Sequence, residues 1–405
     1  MGAEKVIINT KTTGILILIV ILEIGGYTVL QQVKAQESTV NWSPMFHHDL
    51  AHTGYSTSTG PLTNQTLWSY PTDNSLEYLS PAVVNGVVYV GSDDHSVYAL
   101  DAATGSKVWS YTTGDSVECS PAVDNGVVYV GSNDNNVYAL NASSGSKIWS
   151  YPTGKSVYSS PTVTNGVVYF GSDDGNVYAL NAETGSKIWS YGTSGPMYSS
   201  PAVLNGVVYV ASGDNVYALN AKSGSKIWNY STNGNVESSP AVANGIVYIG
   251  SDDSNVYALD ATTGSKIWSY TTGNSVDSSP FVANGVVYVG SEDNYVYALN
   301  ATTGSKIWSY ATGNEVECSP VVVNGVVYVG SDDNNVYAFG SIAVLQSSSP
   351  LSSPSPSPSP FASSTPSTSI SNGSLLIIIG AIMIAVVIIG LTIGFSMKRS
   401  YIKNH

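Results

Sequence analysis

Short apolar runs recur along this chain at a period of forty residues, separated by clusters of Asn, Asp, Ser, Thr and Gly. The first complete unit starts at Ser80 and reads SPAVVNGVVYVGSDDHSVYALDAATGSKVWSYTTGDSVEC; copies follow from Ser120, Ser160, Ser200, Ser239 and Ser279, and a shortened one from Ser319. Fixed periods of this size belong to solenoids, propellers and arrays. Each unit holds four β-type runs and no helical spacing. The first ends at Asn85-Gly86, a dipeptide that recurs at Asn125, Asn165, Asn205, Asn244, Asn284 and Asn324. Asn-Gly accepts positive φ at both central positions of a tight type I′ hairpin. The second run is Val87 to Val90, the third Val97 to Leu100, and the fourth carries Trp109 after Thr104-Gly105.

The runs are apolar on both alternating faces, as in Val87-Val88-Tyr89-Val90. A sheet with one wet face would alternate. Four antiparallel strands per unit, covered on both sides, describe one blade of a propeller. Pro81 and its equivalents Pro121, Pro161, Pro201, Pro240, Pro280 and Pro320 open each first strand. Proline cannot donate to a ladder, so it suits the edge that faces a central channel. The pattern predicts an all-β, seven-bladed β-propeller of four-stranded antiparallel blades. The seventh copy stops near Gly340 without its Trp strand, so Leu67-Trp68-Ser69-Tyr70 is expected to supply it and to pair with Val336 to Phe339, closing the ring. An eighth blade from Asn41 to Ser58 lacks the repeat pattern.

The run Ala99-x-Asp101-x-x-Thr104-Gly105-x-Lys107-x-Trp109 resembles the tryptophan-docking motif of pyrroloquinoline-quinone (PQQ) repeat propellers, as do the runs ending at Trp149, Trp189, Trp228, Trp268 and Trp308. The lead-in from Trp42 through His52-Thr53-Gly54-Tyr55-Ser56 is similar to that family as well. The resemblance spans roughly residues 42 to 345. It implies that each Trp, with Trp68 as the seventh, wedges against the neighbouring blade. Quinoprotein dehydrogenases of this family hold PQQ and Ca²⁺ in eight blades, often beside a disulfide between adjacent cysteines. This chain has seven regular blades and no adjacent Cys pair. The expectation is therefore a member without cofactor, metal or catalytic residues, since fold does not fix function.

The ends place the propeller. Residues 1–35, with Lys5, Lys11 and the apolar run Gly14 to Leu22, read as a secretion signal or an N-terminal membrane segment. Residues 36–66 form the lead-in and 67–345 the propeller. Residues 346–374 are a Ser/Pro/Thr-rich stalk that at about 3.1 Å per residue reaches roughly 90 Å. Residues 375–397 predict a transmembrane helix, Leu375 to Phe395 being apolar and uncharged. Lys398, Arg399 and Lys403 in the tail 398–405 put that end in the cytoplasm and the propeller outside. Asn-x-Ser/Thr sequons at Asn41, Asn64, Asn141, Asn229, Asn300 and Asn372 would then be open to glycosylation.

Net charge is −14 and Arg399 is the single arginine, which argues against nucleic acid as a partner. Variation between copies falls on loop 93–96 and its equivalents and on the blade connections, with Asp93, Asp94, Asp173, Asp174, Asp252, Asp253, Glu292, Asp293, Asp332 and Asp333 gathered there. The repeated lysines, Lys107 to Lys306, fall toward the opposite face. Just before each Ser-Pro lies a further equivalent position: Tyr78 (or Glu77), Glu118, Tyr158, Tyr198, Glu237, Asp277 and Glu317. These are the candidate ligand ring at the channel mouth, set against solvated strand ends. Carboxylates in such a ring suit a cation or a polar ligand. His47, His48 and His52, with Asp49, form the only histidine cluster, and Cys119 and Cys318 are expected as free, buried thiols. No nucleophile elbow, Walker loop or dinucleotide fingerprint is present. The expected function is a non-catalytic cell-surface module for adhesion or recognition of an extracellular protein or glycan. An envelope-assembly scaffold and a PQQ-dependent oxidoreductase are the alternatives.

Overall fold

The structure is a computed structural model that describes residues 45, 46, 49, 66–76, 79–323 and 325–340, together with the backbone of Lys5–Asn9, Ile17–Ile24 and Tyr27–Val33. Seven successive antiparallel sheets carry the repeat: six of four strands and a last one of three. In the first blade the strands are Ala82–Val84, Val87–Ser92, Ser96–Asp101 and Lys107–Thr112, paired in chain order. Asn85 and Gly86 have φ of 52° and 77°, as the type I′ turn requires. First strands of neighbouring blades approach one another, which sets them around the axis.

The core lies between blades rather than within them. One cluster joins Ala82, Tyr89, Val97 and Trp109 of blade one to Val123, Val128, Tyr138 and Leu140 of blade two. The same arrangement repeats from blade to blade, which explains why the runs are apolar on both faces. A β-bulge between third and fourth strands, at Ala139/Leu140 in blade two, lets Trp149 face inward while Ile148 stays 47% exposed. Gly145 forms the floor under the incoming Trp109: it has φ of 70°, and a Cβ there would lie 2.7 Å from the indole. Two further devices stitch the ring. The Ser120 amide donates to Ser160 Oγ at 2.9 Å, and equivalent bonds run from Ser80 through to Ser319. Tyr89 Oη and Trp109 Nε1 both donate to the Ala142 carbonyl of the next blade.

The seam departs from expectation. Leu67 to Tyr70 does not form a strand, and the strand Asn335–Phe339 ends its sheet at three members. Trp68 instead gives its indole hydrogen bond to the Ala102 carbonyl of blade one at 3.0 Å, and Tyr70 packs on Tyr98. Side-chain docking on blade one does not need a backbone ladder with blade seven, and only the docking is present. Val336 is accordingly 80% exposed, while its counterparts in complete blades are buried.

Within the stretch read as a signal or membrane segment, three strands form an antiparallel meander. Dense Ile and Val suit that extended backbone. No helix among the described residues is long and apolar enough to cross a membrane. Residues 346–374, 375–397 and 398–405 lie outside the described residues, as do Glu77, Tyr78, His47, His48 and His52.

Candidate functional site at the channel mouth

Each first strand is preceded by a tight connection that ends in Ser-Ser-Pro or its equivalent. The residue just before that turn is carried to the axis, whichever side chain it bears. Glu118, Tyr158, Tyr198, Glu237, Asp277 and Glu317 therefore line one axial cavity of about 1260 Å³. Tyr158 and Tyr198 pack with centroids 5.6 Å apart, forming an aromatic side to the cavity. Glu237, Asp277 and Glu317 form the acidic side, joined there by Asp332.

The acidic side is electrostatically crowded. Burial raises the Asp277 carboxyl to about 7, helped by the charges of Asp252, Glu292 and Glu237 and by a hydrogen bond shared with Asp252. Burial and then Asp252 and Glu292 push Glu237 upward. Glu317 rises through burial and the charges of Asp332, Glu292, Glu315 and Glu237. Glu315, Glu317 and Asp332 bring carboxylate oxygens within 4.8 Å of one another, an all-oxygen set of the type Ca²⁺ accepts. Exposed acids on so acidic a face come together without an ion as well, and the same three carboxylates account for part of its charge.

The paired acids of the Asp-rich loops, alike in composition, divide into two roles. The second acid of the full-length loops is structural. Asp134 Oδ2 accepts from the Gly114 amide of the preceding connection at 2.7 Å and from Tyr138 Oη at 2.6 Å. Asp174, Asp253, Asp293 and Asp333 repeat that latch, and Asp94 makes it with the Asp73 amide and Tyr98. The first position instead looks toward the ring: Asn133 Nδ2 donates to Glu118 Oε1 at 2.6 Å, and Asp252 and Glu292 act on Asp277. A signal for this was present, because the second position is Asp in all seven copies while the first varies. Loops and connections share one end of the blades, and Lys107, which pairs with Leu100 near the Thr-Gly turn, starts its strand from the other. Lys155 is an exception in the connections, 3.9 Å from Asp173.

The tryptophans sit at the blade interfaces. Trp109, Trp149, Trp189, Trp228 and Trp268 each donate Nε1 to an alanine carbonyl of the following blade, and Trp68 does so onto blade one. Trp308 packs on Phe339. Both cysteines are free, but only Cys119 is buried. Cys318, expected to be buried, is exposed and lines the cavity. Two residues that no pattern singled out, Met45 and Phe46, also line the cavity.

Comparison with known proteins agrees with this architecture. Residues 51–244 match the family model described as "Beta-alanine-activating enzyme, beta-propeller", and residues 252–345 match that of "Outer membrane protein assembly factor BamB". The crystal structure of BamB from Moraxella catarrhalis is similar at 22% identity and a TM-score of 0.59, over 67% of this chain and 87% of that one. The quinohemoprotein alcohol dehydrogenase from Comamonas testosteroni is similar at 18% identity and a TM-score of 0.48, over 73% and 77%. No curated protein matches in sequence.

Proposed function

We propose that this β-propeller, which resembles PQQ-like repeat propellers, is a non-catalytic binding module which recognises an extracellular protein or a glycan through the mouth of its axial channel. One observation carries this reading: six blades deliver a varied set of Glu, Tyr and Asp side chains to a single cavity from one equivalent position. A repeat that holds its frame constant and varies that position has the form of a recognition surface on a rigid scaffold. The apolar run Leu375 to Phe395, with basic residues after it, supports a membrane tether with the propeller outside. The acidic balance supports a partner other than nucleic acid.

The donor set does not suit pyrroloquinoline quinone. That cofactor is a tricarboxylic acid, and the cavity presents Glu118, Glu237, Asp277, Glu317 and Asp332 with no lysine or arginine among its lining residues. Bringing three more carboxylates to such a site is opposed by charge. A cofactor-free module is the reading this supports.

Screening the chain against glycan and protein arrays tests the proposal. Ligands should be lost on combined Glu237→Gln, Asp277→Asn and Glu317→Gln substitution, which removes the acidic side of the ring. Ligands retained in full by that variant would refute a role for the mouth. A second reading, a scaffold for assembly of envelope proteins, is favoured by the match of residues 252–345 to an assembly factor. Capture from detergent extracts but never from intact cells would favour it over surface recognition.

A further inference from the structure

Two residues of the lead-in, Met45 and Phe46, reach the ring. Met45 is only 8% exposed and packs in the cluster built by Ala122, Tyr129, Val163 and Phe170 of blades two and three. Phe46 beside it faces the axial cavity. These are apolar side chains brought from outside the repeat into a channel bordered largely by serines, tyrosines and carboxylates. Burial removes the Met45 side chain from water, so Met45 is anchored rather than laid against the surface. In sequence the segment continues Met45-Phe46-His47-His48, an apolar pair followed by two imidazoles.

A segment seated in a cavity reports what that cavity accepts. We propose that the axial cavity is a binding site for a peptide segment with an apolar pair followed by basic side chains, and that Met45 and Phe46 occupy it in cis. The inference rests on the channel-mouth reading above and narrows its partner to a peptide. The first apolar residue uses the space between blades two and three, as Met45 does, and the second faces the cavity, as Phe46 does. The basic part of a partner meets the acidic side, where Glu237, Asp277 and Glu317 stand without a cation among the lining residues. The cis occupant adds competition: a partner must displace Met45 and Phe46, which lowers its apparent affinity by the fraction of time the cavity is free.

The test uses the full chain in detergent and, as probe, a fluorescent synthetic peptide of residues 42–49. Fluorescence anisotropy is read for the natural chain, for Met45→Asp/Phe46→Asp, and for the milder Phe46→Ser in case the double variant unfolds, with circular dichroism as the folding control. Both variants should bind the peptide at least about tenfold more tightly than the natural chain, the gain expected when a competing state is removed. Adding Asp277→Asn and Glu317→Gln to either variant should reverse the gain. Absence of binding to folded variants would overturn the proposed site. Equal binding to the natural chain and the variants would overturn the cis occupancy. Array ligands that depend on the mouth substitutions but ignore the peptide would leave the channel-mouth function standing while this inference fails.

Discussion

The Trp109 indole Nε1 donates to the Ala142 carbonyl of the next blade at 2.8 Å, over a glycine that leaves no room for a side chain. One aromatic ring thus supplies apolar area, a hydrogen bond and a spacing gauge between two blades. Removing the ring leaves a cavity, whereas removing only its donor leaves a buried carbonyl short of one partner. Trp109→Ala is expected to cost about 3–5 kcal/mol and Trp109→Phe about 1 kcal/mol. Urea unfolding measures both, and equal costs would mean that packing of the ring adds nothing beyond its hydrogen bond.

Gly145 and Gly126 offer a matched comparison. Both have positive φ, 70° and 77°, but a Cβ at Gly145 would strike Trp109 at 2.7 Å while nothing lies within 4 Å at Gly126. Backbone strain alone should cost Gly126→Ala roughly 1–2 kcal/mol. Gly145→Ala should exceed that by about 1–3 kcal/mol through overpacking. Thermal melts of the two variants decide whether steric contact or dihedral strain dominates.

Asp277 gives the folded protein a pH signature. Its carboxyl moves from 3.8 to about 7 on folding, chiefly through burial and then through neighbouring carboxylates. A raised folded value means that protonation favours the folded state, so this contribution is fully present below about pH 4 and is lost as pH rises through about 7. Denaturant midpoints should therefore fall across that interval, and Asp277→Asn should flatten the slope. A steeper fall in the variant would mean that protonating Asp277 opposes folding.

Asp252 and Asp253 are adjacent, yet they should behave differently. Asp253 accepts from the Asn233 amide at 2.9 Å and from Tyr257 Oη at 2.6 Å; against the upward pull of burial, these and other hydrogen bonds hold its carboxyl below the usual range. Asp253→Ala should destabilise by about 1–3 kcal/mol. Asp252→Asn removes a charge facing Asp277 and should lower the Asp277 titration without loss of stability, which carboxyl NMR would report.

The two thiols provide a probe of the open seam. Cys119 is fully buried, and that burial raises it to about 12, whereas Cys318 is exposed at the cavity, its thiol raised by partial burial and by the charges of Asp332 and Glu317. A maleimide should modify Cys318 in the native chain and Cys119 only after unfolding. Protection of Cys318 in the native state would indicate a covered blade seven.

Blade architecture was legible in the sequence because each unit encodes its own turns and faces. Asn85-Gly86 sets the hairpin by backbone preference, and Val87-Val88-Tyr89-Val90 announces cover on both sides. The ring of Glu118, Tyr158 and their equivalents was legible for the same reason: a repeated position recurs at a repeated place. The exposure of Cys318 was not, because it depends on packing beyond its own repeat unit.

Sequence by itself determined whatever is local or periodic: the strands, the type I′ turns, the tryptophan spacing and the division between constant and variable loops. Tertiary structure decided what depends on packing between parts distant in the chain. It separated the latching Asp253 from the mouth-facing Asp252, since only a neighbouring blade's amide distinguishes two adjacent acids. It kept Trp68 on blade one without a ladder to Asn335–Phe339, and it brought Met45 into the axial channel. None of these has a local cause; each follows from which surface a closing chain finds to bury against.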